Sequence, residues 1–446
     1  MDRNDVLVLL TSVLMLVWLW QLWELWLSGQ GREEPPDKQR QLRPRTSEAC
    51  EQCREEHAHG CEQVVVERPA PRPWSEVKST RGRKKTIRTE GYACVNEACA
   101  YFGITDEAVH AVIGYGCRGK CESIQYFFCQ ACGKKVTERW GTPMYRLKMG
   151  RRRVSEVLTA MGEGLDVSAA VRVFGHAEAT VRRWLARAGE HSRRLHEQHL
   201  QNLELGHVQL DELVVTMKGM GKDLWLWVAM EAKTKLMPVL QLGPRKQEVA
   251  NLVVHSLAAM LAPGCVPAFT SDGLNLHYYA LTAHFGEWQE VEGGRSRWVV
   301  SPELVYAQLK KIRVWRRLVG TEHRMLCGTR AMLTEKLHGC GLRGNIQTAF
   351  VERINLTLRQ SVAGLARRTW SIHVATSELE MSLLWFQAYY HFCRPHESLR
   401  QEYRHVNPRG EEAVRYRSRT PMMAAGLTRH RWTVREFLLY RLPAAC

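Results

Sequence analysis

Between residues 207 and 242 the sequence alternates three apolar runs with two short polar turns, and few folds accept that rhythm. His207-Val-Gln-Leu-Asp-Glu-Leu-Val-Val-Thr-Met217 is rich in β-branched residues and reads as a strand running to the glycine turn Gly219-Met-Gly221. Residues 224–231 and 236–242 are two more strands, joined by the polar turn Ala232-Lys-Thr-Lys235. Connections this short force antiparallel pairing, so the three strands form a meander. Pro238 cannot donate to a ladder and places the third strand at an edge. From 246 to 261 the residues Val249, Leu252, Val253, Leu257 and Met260 recur at helical spacing, and Pro263-Gly264 ends the run. A strand at 266–270 follows and leads into Asp272-Gly273. A meander followed by helix and strand specifies an α/β domain built on one sheet.

Within that frame three acids are placed for chemistry. Asp211 lies on the first strand, and Asp272 ends the fourth, where open α/β sheets bind ligands. Farther on, Val351, Ile354, Leu358, Val362 and Leu365 form a helical apolar stripe that leaves Glu352, Asn355 and Arg359 together on another face. Hard divalent cations such as Mg²⁺ or Mn²⁺ prefer carboxylate oxygen, so Asp211, Asp272 and Glu352 around two ions suit in-line phosphoryl transfer. One ion activates the attacking water or 3′-hydroxyl, and the other stabilises the leaving oxygen. Most single acids in a chain of this size are solvated charges or caps; the order of strands and helix singles out these three. Glu212 points to the opposite face of its strand and Asp223 sits at a turn, so both are expected to be structural.

The segment Phe350-Val-Glu-Arg-Ile-Asn-Leu-Thr-Leu-Arg-Gln360 resembles the catalytic-glutamate segment of the DDE-type transposases of bacterial insertion sequences. Arg394-Pro-His-Glu-Ser-Leu399 and Arg419-Thr-Pro-Met-Met-Ala-Ala-Gly-Leu-Thr428 look like later motifs of the same family, and the resemblance covers roughly residues 90–440. It implies a ribonuclease-H-like catalytic core over residues 204–395, with a C-terminal extension over 396–446. It also implies that Arg359 contacts the DNA end. The implied activity is metal-dependent cleavage at transposon termini and joining of the freed 3′ ends to target DNA. The partners are then double-stranded DNA and a second copy of the chain, as a homodimer or a larger synaptic complex that pairs two ends.

Charge agrees with such a partner. The 446 residues carry 63 Lys plus Arg against 46 Asp plus Glu, a formal charge of +17, which attracts phosphate and makes binding salt-dependent. Charge alone does not separate DNA from RNA or an anionic membrane. Two other classes fit the same features: a DNA-binding regulator with an inert nuclease fold, and a structure-selective nuclease that cuts without joining.

Upstream, residues 91–145 carry two paired knuckles, Cys94-x4-Cys99 and Cys129-x2-Cys132, and resemble a four-cysteine zinc ribbon. Structural Zn²⁺ would staple hairpins too small to fold alone. Cys117 and Cys121 form a third pair in the intervening loop and compete as ligands. Residues 150–196 read as a helix-turn-helix. Val154, Val157, Leu158 and Met161 form one apolar face and Ala169, Ala170 and Val173 a second. A break at Gly175-His176 precedes a third helix with Val181, Trp184, Leu185 and Ala188 inward. Its other residues Thr180, Arg182, Arg183 and Arg187 are candidates for base and phosphate contacts in the major groove.

The amino end follows other rules. Residues 6–29 are strongly apolar and, as a helix, span about 34 Å, enough to cross a bilayer. Trp18, Trp20, Trp23 and Trp26 gather toward one end as an interfacial belt would, and Arg32, Lys38, Arg40, Arg43 and Arg45 follow. Positive-inside reasoning then leaves the rest of the chain in the cytoplasm, tethered to the membrane's inner face. Against an anchor stands Glu24, and packing of this helix in a homomeric contact is the alternative. Residues 30–90 form a linker in which Cys50, Cys53, His57, His59 and Cys61 have the composition of a second metal cluster. All 14 cysteines are expected to be reduced. Finally, the run 306–318, with Lys310, Lys311, Arg313, Arg316 and Arg317 around Trp315, reads as a basic helix able to track DNA or stack on an unpaired base.

Overall fold

Three small antiparallel strands, a set of helices and a six-stranded mixed sheet follow one another along the chain, in that order. A computed structural model describes residues 71–78, 87–119, 122–219, 224–291, 294–315, 317–367, 369–406 and 412–442. The apolar run 6–29 and the Cys50–Cys61 cluster therefore lie outside the described residues, as does Cys121. Among the described residues no helix is long and apolar enough to cross a membrane.

After a single helical turn, α1 (Trp74–Val77), come β1 (Val112–Arg118), β2 (Ile124–Cys129) and β3 (Lys135–Thr137), paired in sequence order. Their core is minimal: Val112, Phe127 and Val136, with Tyr92 stacked on Phe127 at 3.8 Å. Glu122 ties this module to the next. It accepts from Arg139 at 2.5 Å and from the Arg151 backbone amide at 2.8 Å, and its carboxylate also meets the Arg151 guanidinium. That amide is the first of α2 (Arg151–Gly162), where an acid offsets the unpaired N–H groups of a helix start.

Helix α3 (Val167–Phe174) opens on Asp166, whose carboxylate caps Ala169, and closes on Gly175 at φ +70°. Glycine adopts that left-handed conformation without a Cβ penalty, which is why the chain turns there. Next comes α4 (Glu178–His199). Its Val181, Trp184, Leu185 and Ala188 are buried, as are Val154, Val157, Leu158 and Met161 of α2. Of the three apolar residues read on the second helix only Ala170 is fully buried; Val173 is 66% exposed.

The sheet is built from β4 (His207–Val215), β5 (Leu224–Glu231) and β6 (Val239–Gly243), the expected antiparallel meander. α5 (Gln247–Met260) then returns the chain to β7 (Ala268–Ser271), which pairs parallel with β4. α6 (Asn275–His284) and a hairpin, β8 (Gly286–Val291) with β9 (Arg295–Val300), lead to β10 (Val305–Val314), parallel to β7. β11 (Arg317–Cys327) runs back beside it, giving the order β11-β10-β7-β4-β5-β6. β6 is an edge, as Pro238 required. On α5 the buried face is Ala250, Val253, Val254 and Leu257, so the helix is rotated slightly from the expected one and Leu252 is 45% exposed.

Because side chains alternate along β4, the sheet has two distinct faces. Val208 and Leu210 face α5, α6 and the amino-terminal helices in a core that also holds Trp227 and Phe269. Leu213 and Val215 face a second core, filled by Val351, Ile354 and Leu358 of α8 (Ala349–Ser361) and Leu379, Leu383 and Phe386 of α9 (Thr376–Ala388), while α7 (Arg330–Gly339) packs near β7 and β10. Each such side chain, fully buried, contributes about 1.5–3 kcal/mol. α9 lies directly on α4: a Cβ at Gly189 would come within 2.7 Å of the Met381 carbonyl oxygen, so only glycine permits this approach. The chain closes with the hairpin β12 (Gln401–Val406) and β13 (Glu412–Arg417), then α10 (Pro421–Ala424) and α11 (Val434–Leu439).

The basic run expected as a helix at 306–318 is instead β10 and the start of β11. Val305, Tyr306 and Ala307 are buried between β7 and β11, and β-branched Val305, Ile312 and Val314 suit the ladder. Basic residues interleaved with apolar ones fit both periods, and the neighbouring strand β7 decided between them. Trp315 sits at the turn, at φ +48° and 94% exposed.

Candidate active site and metal centre

The parallel ladder between β4 and β7 pairs Leu210 with Ser271. One residue further along each strand stand Asp211 and Asp272, level on neighbouring strands that lie about 5 Å apart. Asp211 is on the face that α8 covers. Gln209, two residues before it and on the same face, clamps that helix in place. Its amide donates to the Gln347 carbonyl at 2.8 Å, and its Oε1 accepts the Val351 backbone N–H at 2.9 Å. The helix is thereby registered so that Asn355 Nδ2 donates to Asp211 Oδ2 at 2.8 Å.

Glu352 stands one turn earlier on α8, on its exposed side. The Thr348 hydroxyl donates to its Oε1 at 2.7 Å, and Lys311 Nζ from β10 reaches the same oxygen. Lys310, next to it, lies 3.6 Å from where a Cβ on Gly273 would stand. The loop after Asp272, strand β10 and the start of α8 thus lie side by side.

Burial and mutual repulsion dominate the electrostatics of the two aspartates. Burial, then the neighbouring Asp272, push the Asp211 carboxyl up to about 7, with Glu212 and Glu352 adding to the effect. Burial and Glu212 likewise raise Asp272, although its Oδ1 accepts the Leu274 amide at 3.0 Å. Asn355 Oδ1 is buried with no hydrogen-bond partner among the described residues, beside the same carboxylates. Asp211, Asp272 and the orphaned Asn355 oxygen thus share one largely buried neighbourhood.

Glu212 belongs to the other face. Its carboxylate meets Arg245, which also lies 4.8 Å over the Trp225 ring, and His277 Nε2 is 3.5 Å away. Burial would raise its carboxyl, but His277 and Arg245 outweigh that and hold it below the ordinary value. Gln209 and Thr348 escaped the sequence reading, and Lys311 was read there only as part of a basic run. Only Gln209 left a signal, as a polar residue on an otherwise apolar strand face.

The other expected site residues are distributed as follows. Arg359 is half-buried on α8, within electrostatic reach of Asp211. Asn355 is committed to Asp211. On α4, Arg182 forms ion pairs with Glu178 at 2.7 Å and with Glu378 of α9 at 2.9 Å. Arg187 donates to the carbonyls of Pro143 and Tyr145, fixing the segment between β3 and α2. Thr180 is half-buried, and Arg183 is exposed to solvent. Arg394, from the second resembling motif, donates to Ser361 at the end of α8 at 3.0 Å.

Four thiols form a separate centre. The sulfur atoms of Cys94, Cys99, Cys129 and Cys132 all lie within 4.8 Å of one another, with Cys94 to Cys132 at 3.5 Å and Cys99 to Cys129 at 3.9 Å. A tetrahedral zinc with bonds of about 2.3 Å sets its sulfurs about 3.8 Å apart, so this cluster could bind a metal such as zinc. Burial pushes the Cys94 and Cys129 thiols up. It opposes ionisation of Cys132 too, but the Lys134 amide and the neighbouring Cys94 outweigh it and bring that thiol down to about 7. Cys117 lies outside the cluster and donates to Gln125 Oε1 at 3.1 Å. Compared with protein-family models and with curated proteins, the sequence matches none.

Proposed function

We propose that this chain is a DDE-type DNA transposase that binds the ends of an insertion element, cuts them and joins them to target DNA. The observation that carries the reading is the placement of Asp211 and Asp272 on the two central strands of the sheet beside the Glu352 helix, with Asn355 bridging helix to strand. A meander whose first strand is flanked by a parallel strand, itself followed by another, is the arrangement expected of a ribonuclease-H-like core, which supports the same conclusion. Mg²⁺ or Mn²⁺, as two ions held by Asp211, Asp272 and Glu352, would activate the attacking water or 3′-hydroxyl and stabilise the leaving oxygen.

The chain's own residues do the rest. Gln209 and Asn355 hold the helix-borne and strand-borne acids in register. Lys311 neutralises Glu352, and Arg359 offers a guanidinium to a phosphate brought to the centre. Trp315, exposed at the hairpin turn beyond that lysine, offers a stacking surface to an unpaired base. The four-thiol cluster, as a zinc ribbon, and helices α2 to α4, as a helix-turn-helix, would recognise the terminus, with Arg183 the arginine free to reach bases. Pairing two ends calls for a dimer or a larger assembly.

An assay for joined products with Mg²⁺ or Mn²⁺ tests the reading. Wild-type protein should cleave and join, whereas Asp272→Ala and Glu352→Ala should bind ends and do neither. Cleavage without joining would assign a nuclease instead. Binding without cleavage by the wild type would assign a regulator.

A further inference from the structure

The β12–β13 hairpin belongs to none of the hydrophobic cores, yet its charges are sorted. Its register pairs Gln401 with Arg417, Tyr403 with Arg415 and His405 with Ala413, so these six residues share one face. That face carries no acid. Glu402 and Glu412 are on the other face, where Arg404 pairs with Glu412 at 3.4 Å and Arg400 lies 4.5 Å over the Tyr416 ring. Arg415 and Arg417 are exposed and have no ion-pair partner among the described residues. Tyr403, directly opposite Arg415, is 44% exposed.

A two-stranded ribbon with no core beneath it is marginal alone, yet one of its two exposed faces carries cations and an aromatic with no acid. The ribbon's first strand follows closely on the Arg394-Pro-His-Glu-Ser-Leu399 segment. His396, in that segment, lies within electrostatic reach of Lys235, Arg394 and Arg353, and Arg353 follows Glu352 directly on α8. Several cationic side chains thus accompany the chain from α8 toward the ribbon, with Glu397 among them.

We propose that the β12–β13 ribbon is a second DNA-binding arm, which grips the phosphate backbone of the duplex accepting the ends through Arg415, Arg417, His405 and Tyr403. The proposal rests on the transposase reading for the identity of that duplex. Exposed arginines without fixed partners match phosphates in any sequence, since phosphate contacts position a protein and do not specify bases. A duplex taken regardless of sequence is what such a face fits.

The test is binding of a random-sequence duplex to the full chain in metal-free buffer, read by anisotropy across salt concentrations. The double variant Arg415→Ala/Arg417→Ala should bind about tenfold more weakly near physiological salt, with the salt slope reduced by about 1 to 2. Arg415→Lys/Arg417→Lys should keep most of the affinity, and Arg404→Ala on the opposite face should match the wild type. Equal affinity for front-face and wild-type proteins would overturn the proposal, as would equal losses from front-face and back-face changes. So would a fall in oligomer mass at unchanged DNA affinity, which would make the ribbon a contact between copies. Since no chemistry is measured, loss of strand-transfer activity would count against the transposase reading alone.

Discussion

Replacing Asp211 with Asn should stabilise the metal-free protein while abolishing the proposed strand-transfer chemistry. Asp211 is raised from 3.8 to about 7 by burial and by Asp272, so ionising it in the folded chain costs up to about 4 kcal/mol more than in the unfolded chain. Residual solvent access lowers the expected value to about 2–4 kcal/mol. The substitution keeps the local hydrogen bonds: the new carbonyl accepts the Glu212 amide, and Asn355 can turn its unpartnered Oδ1 toward the new Nδ2. The sign follows from the raised folded value. Protonation stabilises wild-type protein fully below about pH 4, and this is lost as pH rises to about 7. Asp211→Asn should therefore unfold with wild type near pH 3.5 and at temperatures about 4–8 °C higher at pH 8. Thermal unfolding without divalent ions reads the gap across that range. Adding Mn²⁺ at pH 8 should raise the wild type and leave the variant unchanged. A gap that is absent at pH 8, or independent of pH, would refute the crowding argument, and equal gains with Mn²⁺ would place the ion elsewhere.

Other consequences are as direct. Lys311→Ala removes a competing cation from Glu352; with both side chains a third or more exposed, the pair is worth at most about 1 kcal/mol, so the Mn²⁺ concentration for half-saturation without DNA should fall by no more than about fivefold. A rise in that concentration would mean Lys311 organises the acids instead. Cys129→Ser or chelation should release stoichiometric zinc and melt the β1–β3 module, because metal-binding energy is folding energy in so small a core; unchanged metal content by mass spectrometry would remove zinc from the account. His196 is buried against His391 at 3.0 Å, and burial lowers it to about 3, so its contribution is complete above pH 6.5 and lost as pH falls toward 3. His196→Gln keeps an acceptor for His391 but cannot titrate, and should flatten that acid limb in denaturant titrations.

Much of this was legible along the chain because the signals are local. Strand period, the glycine turn and Pro238 specified β4 to β6, and a helical stripe from Val351 to Leu365 specified the face of α8. Burial later matched that stripe residue for residue. The run 306–318 misled because its basic and apolar residues fit two periods, and only pairing with β7 and β11 selected a strand. Arg187 reads as a surface cation by helical position, yet the carbonyls of Pro143 and Tyr145, more than forty residues away, claim it.

The sequence by itself determined the mixed α/β class and a cationic chain and pointed to three candidate acids and a cysteine-rich module with three pairs of possible ligands, since each follows from composition or short-range pattern. The tertiary structure decided which groups meet. Parallel pairing of β4 with β7 set Asp211 beside Asp272, Gln209 fixed the pitch of α8, and Asn355 came to rest on Asp211 across 144 residues. Those contacts depend on strand register and on which sheet face a helix covers, and one residue of slip in either would exchange every partner.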